Sequence, residues 1–130
     1  MKLLPEEWVR EFHEVFKHPI QIRPNAEYTR LRRTLLREEW NELEVELIKT
    51  EDNGIIHANL IKEMADLQYV LSGLAVSYGI DLNKAVEIVH QSNMSKLGAD
   101  GRPIFRDDGK VQKGPNYREA DVKELIPIYD

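Results

Sequence analysis

The chain has 130 residues, contains no cysteine and carries a formal net charge of −5. This length fits one domain with its own core, and the absence of cysteine excludes a disulfide framework, a thiolate zinc site and a cysteine nucleophile. The acidic balance argues against binding to a nucleic-acid polymer, which requires a basic excess. A charged fraction of 32% instead fits a small helical protein with solvated outer faces.

Two helices are predicted in the first part of the chain from capping signals and apolar residues at helical spacing. The first starts at Pro5 and stops before His18-Pro19, because proline pushes the residue before it out of the α region. The second is capped by Asn25 and ends near Asp52-Asn53-Gly54, a strong turn signal.

Two more helices follow with short connections. The third covers about residues 57–78, and the fourth runs from an Asp81 cap to about Leu97. Four such helices predict an all-α fold, a four-to-five-helix bundle. We expect a single domain over residues 1–130 with its helical core over about 5–97.

The tail, about residues 98–130, has a different composition, dense in glycine, proline and aspartate. Its Asp108-Gly109 step lies between short β-compatible runs and predicts a small hairpin. An ordered loop over residues 113–117 is expected to follow. The longest mostly apolar stretch, residues 67–80, is too short and too polar to span a bilayer. No secretion signal is recognisable, so we expect a cytoplasmic protein.

Acidic residues interrupt the leucine stripe of the second helix. At about 100° per residue, five leucines fall on one face: Leu31, Leu35, Leu36, Leu43 and Leu47. Four acids share that face: Glu38, Glu39, Glu42 and Glu46. A solvated, charge-rich face explains any one of these acids, but it explains the whole set poorly.

The third helix repeats this pattern, because Glu63 lies at the edge of its leucine sector and Asp66 lies one turn further on. Half-buried carboxylates that crowd together repel one another, and basic partners or a divalent cation would relieve the repulsion. Basic residues near the stripe are few, and oxygen ligands suit Mg²⁺. The pattern therefore favours a magnesium site.

Further candidate residues lie towards the end of the chain. Asn93 lies within the apolar stripe of the fourth helix and Lys96 at its edge, although polar residues and cations are also normal near a helix end. Lys110 and Lys113 are among the cations of the hairpin region, which suit closure over a polyphosphate or a plain solvated surface equally well. His13 of the first helix could line a base pocket or have a structural role.

With these residues in place, the chain resembles the all-α nucleoside triphosphate pyrophosphohydrolase superfamily, which groups MazG proteins, dimeric dUTPases and phosphoribosyl-ATP pyrophosphohydrolase. The shared signature is Glu-Glu-x-x-Glu, a spacer and Glu-x-x-Asp, present here as residues 38–42 and 63–66. Residues 92–98 and the tail up to Tyr117 resemble a MazG-like, dUTPase-related subgroup described as phosphoribosyl-ATP pyrophosphohydrolase-like.

The resemblance implies Mg²⁺-dependent hydrolysis of a nucleoside triphosphate to monophosphate and pyrophosphate, with Mn²⁺ as a substitute metal. It implies a homodimer or a dimer of dimers. It assigns the metal ligands to Glu39, Glu42, Glu63 and Asp66, and the activation of water to Glu38. Substrate contacts fall to Asn93 and Lys96 and, more loosely, to Lys110, Lys113 and Tyr117.

Several alternatives stay open. The substrate could be dUTP, another pyrimidine or non-standard nucleotide, or phosphoribosyl-ATP. A di-iron carboxylate bundle requires Glu-x-x-His on two helices, and only Glu87-Ile-Val-His90 matches. A non-catalytic helical dimerisation module would explain the amphipathic helices but not the acids within leucine stripes.

Overall fold

The computed structural model describes residues 5–130, and its four helices, with almost no sheet, confirm the all-α prediction. Two compact units are formed by residues 5–80 with Pro127–Asp130 and by Asp81–Ile126. The prediction of one domain over the whole chain stays a prediction. The helices and strands are α1 (Pro5–Phe16), α2 (Ala26–Asn53), α3 (Ala58–Tyr78), α4 (Leu82–Met94), β1 (Ile104–Phe105), β2 (Val111–Gln112) and a 3₁₀ turn at Lys123–Leu125.

Helix ends follow the local signals of the sequence closely. The side chain of Asn25 accepts a hydrogen bond from the Tyr28 amide and caps α2, while Gly54, with φ of 68°, ends it in the left-handed conformation. Gly79, with φ of 70°, ends α3 in the same way. Such caps satisfy backbone groups that a helix leaves without partners, so the bounds can be inferred from sequence alone.

Helix α4 is shorter than predicted, because it ends at Met94 rather than near Leu97. The hydroxyl of Ser95 donates to the Ser92 carbonyl at 2.6 Å and accepts from the Arg118 amide at 3.0 Å. A serine that bonds nearby backbone groups competes with the helix, which here gives way to tighter turns. The predicted hairpin is present, with β1 antiparallel to β2 and Gly109 in the turn at φ of 84°.

The long helices α2 and α3 form an antiparallel pair, and α1 packs against α3. At one end of the pair, the hydroxyl of Tyr28 lies 2.8 Å from Oγ of Ser77. Further along, Nη2 of the buried Arg32 donates to the Val70 carbonyl at 2.7 Å. Gly73 makes room for this guanidinium, since a Cβ there would lie 2.2 Å from Arg32 Nη2. These contacts fix how α2 is aligned against α3.

Candidate metal centre

Four carboxylates meet where the middle of α2 lies against the first half of α3. Glu39 and Glu42 are three residues apart on α2, and Glu63 and Asp66 are three residues apart on α3, so each pair shares a helix face. One carboxylate oxygen from each residue lies within 4.8 Å of those of the other three. We call these four residues the carboxylate cluster.

Without a cation, burial and mutual repulsion make the charged form of the carboxylate cluster unfavourable. Burial raises the pKa of Glu39 above the ordinary value of 4.5, and the charges of Glu42 and Asp66 raise it further. Burial is also the main reason that the pKa of Glu63 is raised, followed by its hydrogen bond with Glu42. Both shifts mean that the folded chain resists carrying all of these negative charges together.

Lys62 is the cation that the structure places against the cluster. Its ammonium lies 2.6 Å from Oδ2 of Asp66 and 3.8 Å from Oε1 of Glu63. The hydrogen bond to Asp66 and the charges of Asp66 and Glu63 raise the pKa of Lys62. Sequence reasoning missed this residue, although its i, i+4 spacing to Asp66 is a signal that could have found it.

The donor set suits a hard divalent cation. Oε2 of Glu39 and Oε2 of Glu63 are buried and have no hydrogen-bond partner in the described part of the chain. Ionised carboxylates can only accept hydrogen bonds, so the four acids cannot satisfy one another when all of them are charged. Four oxygen donors without a cysteine or histidine match the ligands that Mg²⁺ and Mn²⁺ prefer, so the residues present fit such an ion.

Two other acids of the interrupted leucine stripe lie outside the cluster. Glu46 is buried, with 8% of its surface exposed, and pairs with Lys49 at 3.2 Å. Glu38 is exposed on α2, one turn before Glu42, so the side chains of these two residues occupy neighbouring surface. The helical wheel could not separate these acids, because all of them fall near the same face of α2.

The candidate substrate residues of the later chain lie within the unit Asp81–Ile126. Asn93 is an exposed residue of α4, and Lys96 lies two residues after the end of that helix. The amide of Gly114 donates to the Lys96 carbonyl at 2.8 Å, which ties the tail to the end of α4. The Lys113 ammonium lies 4.6 Å from the ring centroid of Tyr117.

Lys110 occupies the hairpin turn, where its amide donates to Asp108 at 3.0 Å and its carbonyl accepts from the Arg106 amide at 2.8 Å. These bonds fix the backbone of Lys110 while its side chain stays exposed. The tail thus presents its cations on an ordered turn.

His13 is buried, with only 2% of its surface exposed, and its Nδ1 lies 2.8 Å from the Pro19 carbonyl. Burial lowers the pKa of His13, and the nearby charge of Arg32 lowers it further. This environment favours a packing role between α1 and α3. Glu87 and His90, the residues of the di-iron alternative, are both exposed on α4, and the carboxylate cluster contains no histidine.

The fold and the site together define an all-α protein with an acid-lined centre on a helix pair. The family model of phosphoribosyl-ATP pyrophosphohydrolase matches residues 9–93, which include both acidic motifs and all of the cluster. The chain belongs to this family and is a pyrophosphohydrolase. The resemblance found in the sequence is therefore confirmed. The alternative of a non-catalytic dimerisation module is not supported.

No curated protein matches the chain. Among solved structures, it is similar to the crystal structure of a "putative NTP pyrophosphohydrolase" from Exiguobacterium sp. 255-15. The match covers 92% of this chain and 90% of that one, at 24% identity and a TM-score of 0.45. Within residues 5–130, no helix is long and apolar enough to cross a membrane.

Proposed function

We propose that this pyrophosphohydrolase cleaves a nucleoside triphosphate between the α and β phosphates, in a reaction that depends on Mg²⁺ held by the carboxylate cluster. Water adds to the α phosphorus, the bond from that phosphorus to the bridging oxygen breaks, and a nucleoside monophosphate and pyrophosphate leave. The observation that carries the proposal is the convergence of four acids, two of which, Glu39 and Glu63, have a buried oxygen with no hydrogen-bond partner in the described chain.

In this proposal Glu39, Glu42, Glu63 and Asp66 hold the cation. When bound, Mg²⁺ neutralises phosphate charge and lowers the pKa of water, with Mn²⁺ as a substitute. Glu38 is assigned to orienting the attacking water and accepting its proton, because it is exposed one turn from Glu42. Without a cation, the cluster would repel a polyanionic substrate.

We assign substrate contacts to polar residues of the second unit. Asn93 and Lys96 lie at the end of α4, and the tail contributes Lys110, Lys113 and Tyr117. Ammonium groups suit phosphate as point charges, and an aromatic ring offers a face for a nucleobase. These assignments, and dUTP or another pyrimidine or non-standard nucleotide as the substrate, follow from the resemblance to the dUTPase-related subgroup.

A homodimer or a dimer of dimers belongs to the same proposal. Few large apolar side chains are buried among the described residues, while both long helices leave others exposed: Trp40, Val45, Ile48, Ile61 and Met64 are 45–61% exposed. Apolar surface of this extent marks an interaction site, and a second copy is the commonest partner of a soluble chain. Light scattering on the purified protein gives the mass that tests this assembly.

The activity is tested with a panel of nucleoside triphosphates, including dUTP, incubated with Mg²⁺ or with chelator. Both monophosphate and pyrophosphate are measured. We expect pyrophosphate only with metal, and its loss in Glu39→Ala but not in Glu44→Gln, an exposed α2 residue outside the cluster. Release of single phosphates, or turnover in chelator, would refute the proposed reaction.

Phosphoribosyl-ATP is the second candidate substrate, favoured by the family whose model the chain matches. It requires the same bond cleavage and the same cation site, so it belongs in the same panel. Turnover of phosphoribosyl-ATP with no turnover of any simple triphosphate would move the assignment to this substrate.

A further inference from the structure

Lys62 has an arrangement that helix stability alone does not explain. It precedes Asp66 by four residues, and a cation N-terminal to an acid is the weaker of the two orientations on a helix. Its ammonium also approaches Glu63, the next residue along, although adjacent residues do not face each other on a helix. The side chain therefore reaches towards Glu63 and Asp66, the two α3 members of the carboxylate cluster.

The same side chain is mostly exposed to solvent. Lys62 is 66% exposed, whereas Glu63 and Asp66 are 15% and 33% exposed. A long, flexible stem carrying a compact charge can swing into solvent with little loss of packing. In the described part of the chain, Lys62 is the only lysine or arginine in ion-pair contact with the cluster.

We propose that Lys62 is an internal counter-ion of the carboxylate cluster, which offsets part of the negative charge of Asp66 and Glu63 in the metal-free protein and must leave them when a divalent cation binds. The inference rests on the proposed cation site. Lys62 is thus a positioning residue that competes with the metal for the same oxygens, and it sets the cation concentration at which the site fills.

Competition predicts that removing the lysine strengthens metal binding rather than weakening it. In Lys62→Gln the metal no longer displaces an ammonium or faces its charge, so we expect divalent-cation binding about three- to tenfold tighter. A variant that merely damaged the fold would bind metal more weakly. Lys62→Arg keeps the charge, and its metal affinity should stay close to that of the parent protein.

The experiment is titration calorimetry of metal-free protein with Mn²⁺ alone, at low and high salt and without nucleotide. Lys49→Gln is the matched control, because Lys49 forms an ion pair at 3.2 Å with Glu46, a mostly buried glutamate outside the cluster. We expect tighter binding only in Lys62→Gln, with a smaller difference at high salt.

Two failures can be told apart. Unchanged or weaker Mn²⁺ binding in Lys62→Gln, while the parent protein binds Mn²⁺, would overturn the role of Lys62 and leave the proposed reaction standing. Absence of Mn²⁺ binding in every variant would overturn the cation site itself and, with it, the role of Lys62.

Discussion

The α2–α3 pair brings together polar groups of opposite character in two places. Near the start of α2, hydroxyl groups meet, with Tyr28 on Ser77 at 2.8 Å and Thr29 on Tyr78. Further along the same helices four carboxylates meet in the cluster, with Lys62 beside them. A hydroxyl both donates and accepts, so the first contact satisfies itself, whereas ionised carboxylates only accept. The hydroxyl contacts therefore hold the helices together, whereas the carboxylates are balanced by the cation of the proposed function.

Glu42→Gln gives the largest expected effect, and it separates activity from stability. We expect at least a 100-fold loss of pyrophosphate release, since even residues that only support a metal ligand are worth 10- to 100-fold. The metal-free variant should be as stable as the parent protein or more so, because one charge has left a crowded site. Activity assays and thermal melts in chelator measure both quantities.

Glu44→Gln is the control for Glu42→Gln, because it removes an exposed α2 charge outside the cluster. It should leave activity and stability nearly unchanged. Retention of full activity in Glu42→Gln would contradict the role of the cluster.

Gly73→Ala disturbs the alignment of α2 with α3. A Cβ at Gly73 would lie 2.2 Å from Nη2 of Arg32, so the guanidinium must shift from the Val70 carbonyl. We expect a loss of roughly 1–3 kcal/mol in the free energy of unfolding. In an ordinary helix interior the same change stabilises by about 0.5–1 kcal/mol, so the sign is informative.

Denaturant unfolding of Gly73→Ala, Arg32→Met and the double variant forms a mutant cycle. The cost of the alanine should shrink once the guanidinium is absent. Equal costs in the two backgrounds would show that the contact does not matter.

Metal and pH act on the part of the α2–α3 pair that holds the carboxylate cluster. The pKa values of Glu39 and Glu63 are raised in the fold, so their contribution to stability is present below the ordinary value of 4.5 and is lost as pH rises through the raised values. The metal-free protein should therefore lose stability from this cluster as pH rises above 4.5.

A cation that replaces the protons should reverse this loss. At ten times its dissociation constant, Mg²⁺ should stabilise the protein by about 1.4 kcal/mol, or roughly 3–8 °C in Tm. Melts with Mg²⁺ and with chelator at pH values near 5 and near 7.5 give the comparison. We expect a larger shift at the higher pH, and a shift that is larger at the lower pH would contradict the argument.

Tyr28→Phe gives the smallest effect and acts at the hydroxyl end. It removes the hydrogen bond to Ser77, whose hydroxyl keeps its bond to the Gly73 carbonyl at 2.7 Å. We expect a loss of about 1 kcal/mol of stability with turnover nearly unchanged. Tyr69→Phe is the control, because Tyr69 is 40% exposed. A large loss of turnover in Tyr28→Phe would contradict the separation of a structural hydroxyl contact from a functional carboxylate cluster.

The bounds of the helices and of the hairpin followed from the sequence because their causes are local. Asn25, Gly54 and Gly79 act on the backbone within one turn of their own positions. The predicted end of α4 was wrong by three residues, because Ser95 accepts a hydrogen bond from the amide of Arg118, far along the chain. A bond across this separation leaves no periodic signal in the sequence.

By itself, the sequence determined the all-α fold and placed acids on the apolar faces of two helices, because helical periodicity is read from neighbouring residues. Periodicity left Glu38 and Glu46 on the face that carries Glu39 and Glu42, and the signature motif implied which four acids form the metal site. The tertiary structure decided that these four meet while Glu38 and Glu46 stay outside the cluster. It also decided that Lys62 reaches this group. Both outcomes depend on the alignment of α2 with α3, which contacts between residues 38 to 49 positions apart maintain.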